Sequence, residues 1–181
     1  MEADLDLGAG MRVRTLVPAD ASLVAEATST ETAPALWGPE PVGPYSAEDA
    51  CAALAAWDPG AGGQFSVGVL RGDRLLAALG FMPGAPGTLE LAYWTRPEER
   101  GRGIASRAVQ AMTSWAHDRL HVARIWLEIR PGNEPSIRLA RRTGYSLERL
   151  APQHCRDWAV SDPAADSWHD CLIWAHERRP R

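Results

Sequence analysis

One continuous run, residues 88–129, narrows the possible folds of this chain more than any other feature. It begins with the apolar strand pattern TLELAYWT and passes through a basic turn, RPEERGRG, that holds Gly101 and Gly103. An amphipathic helix follows at once, with Ile104, Ala108, Ala111, Met112 and Trp115 recurring at helical spacing. The strand pattern ARIWLEI closes the run. A strand, a crossover helix and a second strand predict a parallel pair joined by a right-handed crossover. The rest of the chain must be built outward from that pair.

The flanking segments add antiparallel character. MRVRTLV alternates as a strand does, and PADASLVAEAT opens with Pro18, which suits the first turn of a helix. Residues 31–45 carry four prolines and two glycines and read as a loop. SAEDACAALAAW reads as a helix with Ser46 as N-cap and Asp49 at the third position. QFSVGVL and LLAALGFM flank RGDR, a hairpin turn, and GAPG makes the next turn into TLELAYWT. Beyond the parallel pair, PGNEPSIRLARRTGY reads as a short helix capped by Asn133 and ended by Gly144. YSLERLA and DCLIWAHE are the final strands, with a polar loop over 152–168 between them. Residues 1–10 read as a flexible N-terminal tail and 178–181 as a C-terminal tail, leaving one domain over 11–177. The expected class is α+β: a mostly antiparallel sheet of about seven strands, a parallel central pair, and about four helices.

Composition sets the outer limits. A chain of 181 residues with 45% apolar content can bury a core in one domain. A formal charge of −4 argues against a general nucleic-acid or membrane-surface role. All 19 Lys+Arg residues are Arg, so the side chains supply no amine. Cys51, Cys155 and Cys171 are far apart and form no CxxC pair, which predicts a reduced, cytoplasmic protein without disulfides. The acidic start MEADLDLGAG lacks a signal-peptide core, and no apolar run nears the roughly 18 residues of a membrane span. His117 and His121 have helical spacing but no matching carboxylate motif, so no metal is expected.

The basic turn is the strongest chemical signal. Outward-pointing backbone N–H groups and the helix N-terminus attract an anion, and Arg100 and Arg102 add charge-assisted donors. Gly101 and Gly103 leave the backbone open to a phosphate or pyrophosphate. The Walker pattern is absent, and the dinucleotide pattern fails because Ser106 stands where a third glycine is needed.

Arg100-Gly101-Arg102-Gly103-Ile104-Ala105 resembles motif A of the GCN5-related N-acetyltransferases, the GNAT superfamily. The preceding Glu90-Leu91-Ala92-Tyr93-Trp94 and the later Asn133-x-x-Ser136 and Gly144-Tyr145 resemble its ribosomal-protein N-terminal acetyltransferase branch, the RimJ/RimL-like proteins. The likeness runs from about residue 11 to 177.

That resemblance implies that acetyl-CoA is the co-substrate, held without a metal. Residues Arg100, Gly101, Arg102, Gly103, Ile104, Ala105 and Ser106 would bind its pyrophosphate. Tyr93, Trp94 and Thr95 would line the pantetheine arm in the gap of a splayed parallel pair, largely through their backbones. Asn133 would meet a pantetheine amide, and Ser136 would protonate the leaving thiolate. Many relatives use a Tyr seven positions after the motif Asn, where this chain has Ala140. Glu90 is the favoured general base and Glu128 the second candidate, a choice the residues alone leave open. His154, His169, Asp157 and Asp170 surround the late loop, and Glu40, Glu48, Asp49 and Asp162 are further acidic candidates for an acceptor wall. Arg130, Arg138 and Arg141 could instead hold the carboxylate of a succinyl donor. The implied activity is direct transfer to a primary amine, either a protein N-terminus or a small molecule such as an antibiotic or polyamine. A non-catalytic acyl-CoA-binding protein is the alternative of another class. The branch also implies a homodimer.

Overall fold

The computed structural model describes residues 2–30, 44–57, 63–157 and 166–178. In chain order the elements are β1 (Asp4–Gly8), β2 (Met11–Thr15), α1 (Ala21–Ala27), α2 (Ala47–Ala56), β3 (Phe65–Arg71) and β4 (Arg74–Pro83). Then come β5 (Thr88–Thr95), α3 (Ile104–Trp115), β6 (Arg124–Ile129), α4 (Glu134–Arg142), β7 (Ser146–Asp157) and β8 (Ser167–Glu177). The strands form one eight-stranded sheet in the order β1-β2-β3-β4-β5-β6-β8-β7. β5 and β6 are its parallel pair, and the crossover between them is α3, as the pattern of residues 88–129 requires.

The chain falls into two compact units, Met1–Met82 with Ala92–Ala111, and Pro83–Leu91 with Met112–Arg181. In the first, β2 alternates buried and outward residues, while β3 and β4 are buried almost throughout, as strands covered on both faces must be. Leu16, Val24, Leu54, Trp57, Leu75 and Trp94 belong to its apolar core. α2 begins as its sequence predicts: Ser46 Oγ accepts from the Asp49 N–H at 3.1 Å, and Asp49 Oδ2 accepts from the Ser46 N–H at 3.3 Å. Such a reciprocal cap is worth about 1 kcal/mol. The expected tail over 1–10 is corrected. Asp4, Leu5 and Asp6 pair with Arg14, Val13 and Arg12, and Arg12 also forms an ion pair with Asp4. Residues 4–8, DLDLG, carry a strand's alternation, and this hairpin supplies the eighth strand.

In the second unit, β5 pairs with β6 from Thr88↔Arg124 to Glu90↔Trp126. β6 alternates strictly, burying Ile125, Leu127 and Ile129 and leaving Trp126 and Glu128 together on the other face. β8 runs antiparallel to both β6 and β7. The expected polar loop over 152–168 is much reduced, because β7 runs to Asp157 and β8 starts at Ser167. Residues 158–165 of that loop, with Trp158 and Asp162, lie outside the described residues, as do 31–43 with Glu40. His117 serves the packing of this unit: Nδ1 meets the Val122 carbonyl at 2.9 Å and Nε2 meets His176 Nδ1 at 2.9 Å.

Candidate active site

Two groups of residues carry chemistry, one in each unit. In the first unit, Gly101 and Gly103 both adopt φ of 75°, a left-handed backbone that residues with a Cβ enter at a cost of about 1–2 kcal/mol. A Cβ built on either would meet nothing within 4 Å. The glycines are therefore required for the shape of the turn, and the space beside them is open. α3 starts immediately, and its first intrahelical bond runs from the Arg107 N–H to the Gly103 carbonyl at 3.1 Å. The N–H groups of Ile104, Ala105 and Ser106 thus have no partner within the helix.

The arginines around the turn make contacts within the protein. Arg100 Nε donates to the Thr95 carbonyl at 3.1 Å, fixing the turn to the end of β5. Buried Glu99 accepts from Arg74 and Arg102, both at 3.3 Å. Buried Arg96 pairs with Glu26 at 2.5 Å, and its N–H donates to the Leu76 carbonyl at 3.0 Å. Arg102 remains mostly exposed and can reach a ligand.

The end of β5 departs from strict alternation. Leu89 and Leu91 are buried and Glu90 is half-buried, but Ala92 and Tyr93 are both half-buried and Trp94 is buried. The burial pattern thus slips by one residue, and Glu90 loses the shared phase with Trp94 that strict alternation predicts. Trp94 Nε1 and Thr95 Oγ1 are buried without a hydrogen-bond partner. Buried polar atoms are rarely left so, and a polar ligand would satisfy them. The expected backbone contact of this segment is narrowed by the Arg100–Thr95 bond, which already occupies one carbonyl.

In the second unit, the two carboxylates proposed as bases interact. Glu90 is pushed up from 4.5 to about 7, first by burial and then by the negative charge of Glu128, with His154 opposing. Glu128 Oε1 accepts from His154 Nε2 at 2.8 Å, and its Oε2 lies 3.3 Å from Cys155 Sγ. Burial dominates because a carboxylate in a poorly hydrated place prefers to be neutral, and a second carboxylate reinforces that preference. The sequence offered Glu90 and Glu128 as alternatives, whereas the fold makes them one interacting pair. It did not offer His154 as their partner; His154 and Glu128 are 26 residues apart, with no local pattern linking them.

α4 holds the remaining candidates. Asn133 Oδ1 accepts from the Ser136 N–H at 3.3 Å, so Asn133 caps the helix. Its side chain is exposed and Ser136 is half-buried. Ala140 is fully buried. Tyr145 is not a substitute acid: its hydroxyl bonds Thr113 Oγ1 at 2.7 Å, and burial drives its pKa far above the ordinary value. Arg130 donates to His169 Nδ1 at 2.9 Å, and Arg141 lies 5.5 Å from the Trp174 ring centroid, so both serve contacts within the unit.

The expectation of three unbonded cysteines is corrected. Cys155 and Cys171 form a disulfide between β7 and β8, with Cα atoms 5.8 Å apart, and Cys51 is free and exposed. The pairing register, interrupted between Ala151 and Cys155, brings the two together. His169 adds a ligand atom within 4.8 Å of both sulfurs, but sulfurs bonded to each other are not thiolate ligands. Among the described residues, no helix is long and apolar enough to cross a membrane.

Residues 11–146 match the family described as the acetyltransferase (GNAT) domain, and the chain belongs to that family. An uncharacterized N-acetyltransferase, p20, from Bacillus licheniformis is 30% identical over 93 residues. That match covers 50% of this chain and 52% of p20, so the chain matches about half the length of this curated relative. The fold is shared with the ribosomal-protein-S5-alanine acetyltransferase from Vibrio fischeri, at a TM-score of 0.76 and 17% identity over 97% of this chain and 96% of that one. It is also shared with RimJ from Mycobacterium smegmatis, solved in complex with CoA-disulfide, at a TM-score of 0.72 and 19% identity over 97% and 86%.

Proposed function

We propose that the protein transfers an acetyl group from acetyl-CoA to a primary amine, directly and within a ternary complex. The observation that carries this reading is the left-handed Gly101/Gly103 turn, open beside its backbone and running straight into α3. The donors of residues 100–106 would hold the coenzyme pyrophosphate, with Arg102 adding charge. Trp94 and Thr95 supply the buried polar atoms that the pantetheine arm would satisfy. Asn133, already ordered as a cap, would meet a pantetheine amide.

The chemistry follows from proton affinities. A primary amine is protonated near neutrality and cannot attack until it loses that proton. Glu90, with a pKa of about 7, is ionised in a large fraction of molecules and matched to accept it. The neutral amine then attacks the thioester carbonyl, and an N–H of the Tyr93–Trp94 segment would hold the developing oxyanion. Collapse expels the coenzyme thiolate; Ser136 passes it a proton while regaining one that the attacking nitrogen sheds, so the products are a neutral amide and a thiol. The Glu90–Glu128 pair favours a cationic acceptor, and a protein N-terminal amine is the proposed class.

The test is thiol release from acetyl-CoA against N-terminal peptides, polyamines and aminoglycosides, with intact-mass detection of product. Acetylated peptide supports the reading in full. Acetylation of the small amines alone transfers it to a small-molecule acceptor. Coenzyme binding with no transfer to any amine sinks it in favour of a binding protein.

A further inference from the structure

The Cys155–Cys171 bond lies against the carboxylate pair. Cys155 Sγ is 3.3 Å from Glu128 Oε2, and His154, the neighbour of Cys155, holds the other oxygen of the same carboxylate at 2.8 Å. The two cysteines are unequally accessible, since Cys155 is half-buried and Cys171 is 1% exposed. The segment between Ala151 and Cys155 is irregular: Gln153 has φ of 49°, and its N–H donates to Asp170 Oδ1 at 3.0 Å. Other charged groups here are Arg130, which donates to His169, and Arg156, which pairs with Asp166.

We propose that Cys155–Cys171 is a reversible thiol–disulfide site, reduced by a dithiol protein, whose state sets the surroundings of Glu128 and thereby of Glu90. The catalytic consequence rests on the reading of Glu90 as base. The reductant's thiolate attacks the accessible Cys155 sulfur, and the Cys155–Cys171 bond breaks. Cys171 departs as a thiolate and takes up a proton. The reductant's second thiol then attacks its own sulfur in the mixed disulfide and closes its own disulfide, releasing Cys155, which also takes up a proton. Two electrons and two protons pass to the protein, and the dithiol is oxidised.

Reduction changes two contacts in the same direction. A disulfide sulfur has no proton to give, whereas a Cys155 thiol can donate to Glu128 Oε2 and favour its charged form. Loss of the cross-strand tie also frees the irregular segment that carries His154, the neighbour that opposes protonation of Glu90. Both changes move the proton toward Glu90, so reduction raises its titration midpoint. Cys51 is exposed and takes no part.

The experiment uses the full chain carrying Cys51→Ser. Thiol alkylation and intact mass across a series of oxidised and reduced dithiothreitol mixtures should show one reversible two-thiol transition. Carbon NMR of glutamate-labelled protein, with the Glu90 signal assigned through Glu90→Gln, should place its midpoint at least about 0.5 pH unit higher in the reduced form, roughly a threefold change in proton affinity. Cys155→Ser keeps a donor beside Glu128 while breaking the bond, and should titrate like the reduced form with or without dithiol. No reversible transition, or coincident Glu90 titrations in the two states, overturns the proposal. The base reading fails separately, on a pH–rate profile that Glu90→Gln leaves intact.

Discussion

The glycine turn of the first unit and the carboxylate pair of the second are built in opposite ways. The turn is local: Gly101, Gly103 and the first residues of α3 are consecutive, and their chemistry resides in the backbone. The carboxylate group is assembled from β5, β6 and β7, and its chemistry resides in side chains that alter one another's proton affinity. A backbone site is damaged by anything that changes φ. A side-chain site is damaged by changing one charge, and pH tunes it.

The contrast is broken most directly at the turn. Gly103→Val places a branched side chain at φ of 75° and fills the open space beside it. Coenzyme affinity by calorimetry should fall at least about 100-fold, while stability falls by only about 1–2 kcal/mol. Wild-type affinity in a folded variant would remove the turn from the binding site.

Glu90→Gln should cost about 100-fold in kcat/KM at neutral pH and erase the rise of the pH–rate profile near 7, leaving coenzyme affinity within about threefold. A loss confined to affinity would make Glu90 a binding residue and blur the contrast.

The same variant should gain stability in alkali. Because the fold raises this pKa, the stability contributed by the protonated form is intact below about 4.5 and is lost as pH rises through about 7. The full difference corresponds to at most about 3 kcal/mol, and partial exposure brings the expected gain to about 1–2 kcal/mol at pH 8. Urea unfolding of both proteins at pH 4 and pH 8 measures it. An equal difference at both pH values would show that Glu90 is not held neutral by the fold.

Ser136→Ala is the smallest change, about tenfold in kcat with acetyl-CoA affinity preserved, because a hydroxyl is a weak acid and water can replace it. Rates equal to wild type would leave proton return to solvent.

Local periodicity made much of the molecule readable. The apolar stripe of α3, the Ser46–Asp49 cap of α2 and the Asn133 cap of α4 are each encoded within a few residues. β1 was hidden by its acidity, since Asp4 and Asp6 suggest a solvated tail until Arg14 and Arg12 stand opposite them. Residues 152–157 and 167–168 read as polar loop because a strand's polar face resembles one, and only cross-strand pairing tells them apart.

The sequence by itself determined the parallel pair, the glycine turn and the family motif, because turn geometry and helix phase depend on adjacent residues. Tertiary structure alone decided that Glu90 and Glu128 share one environment, that His154 joins them, and that Cys155 meets Cys171. Those outcomes depend on strand order and register. A pKa or a disulfide is set by what approaches through space, and the chain's local pattern carries no record of that approach.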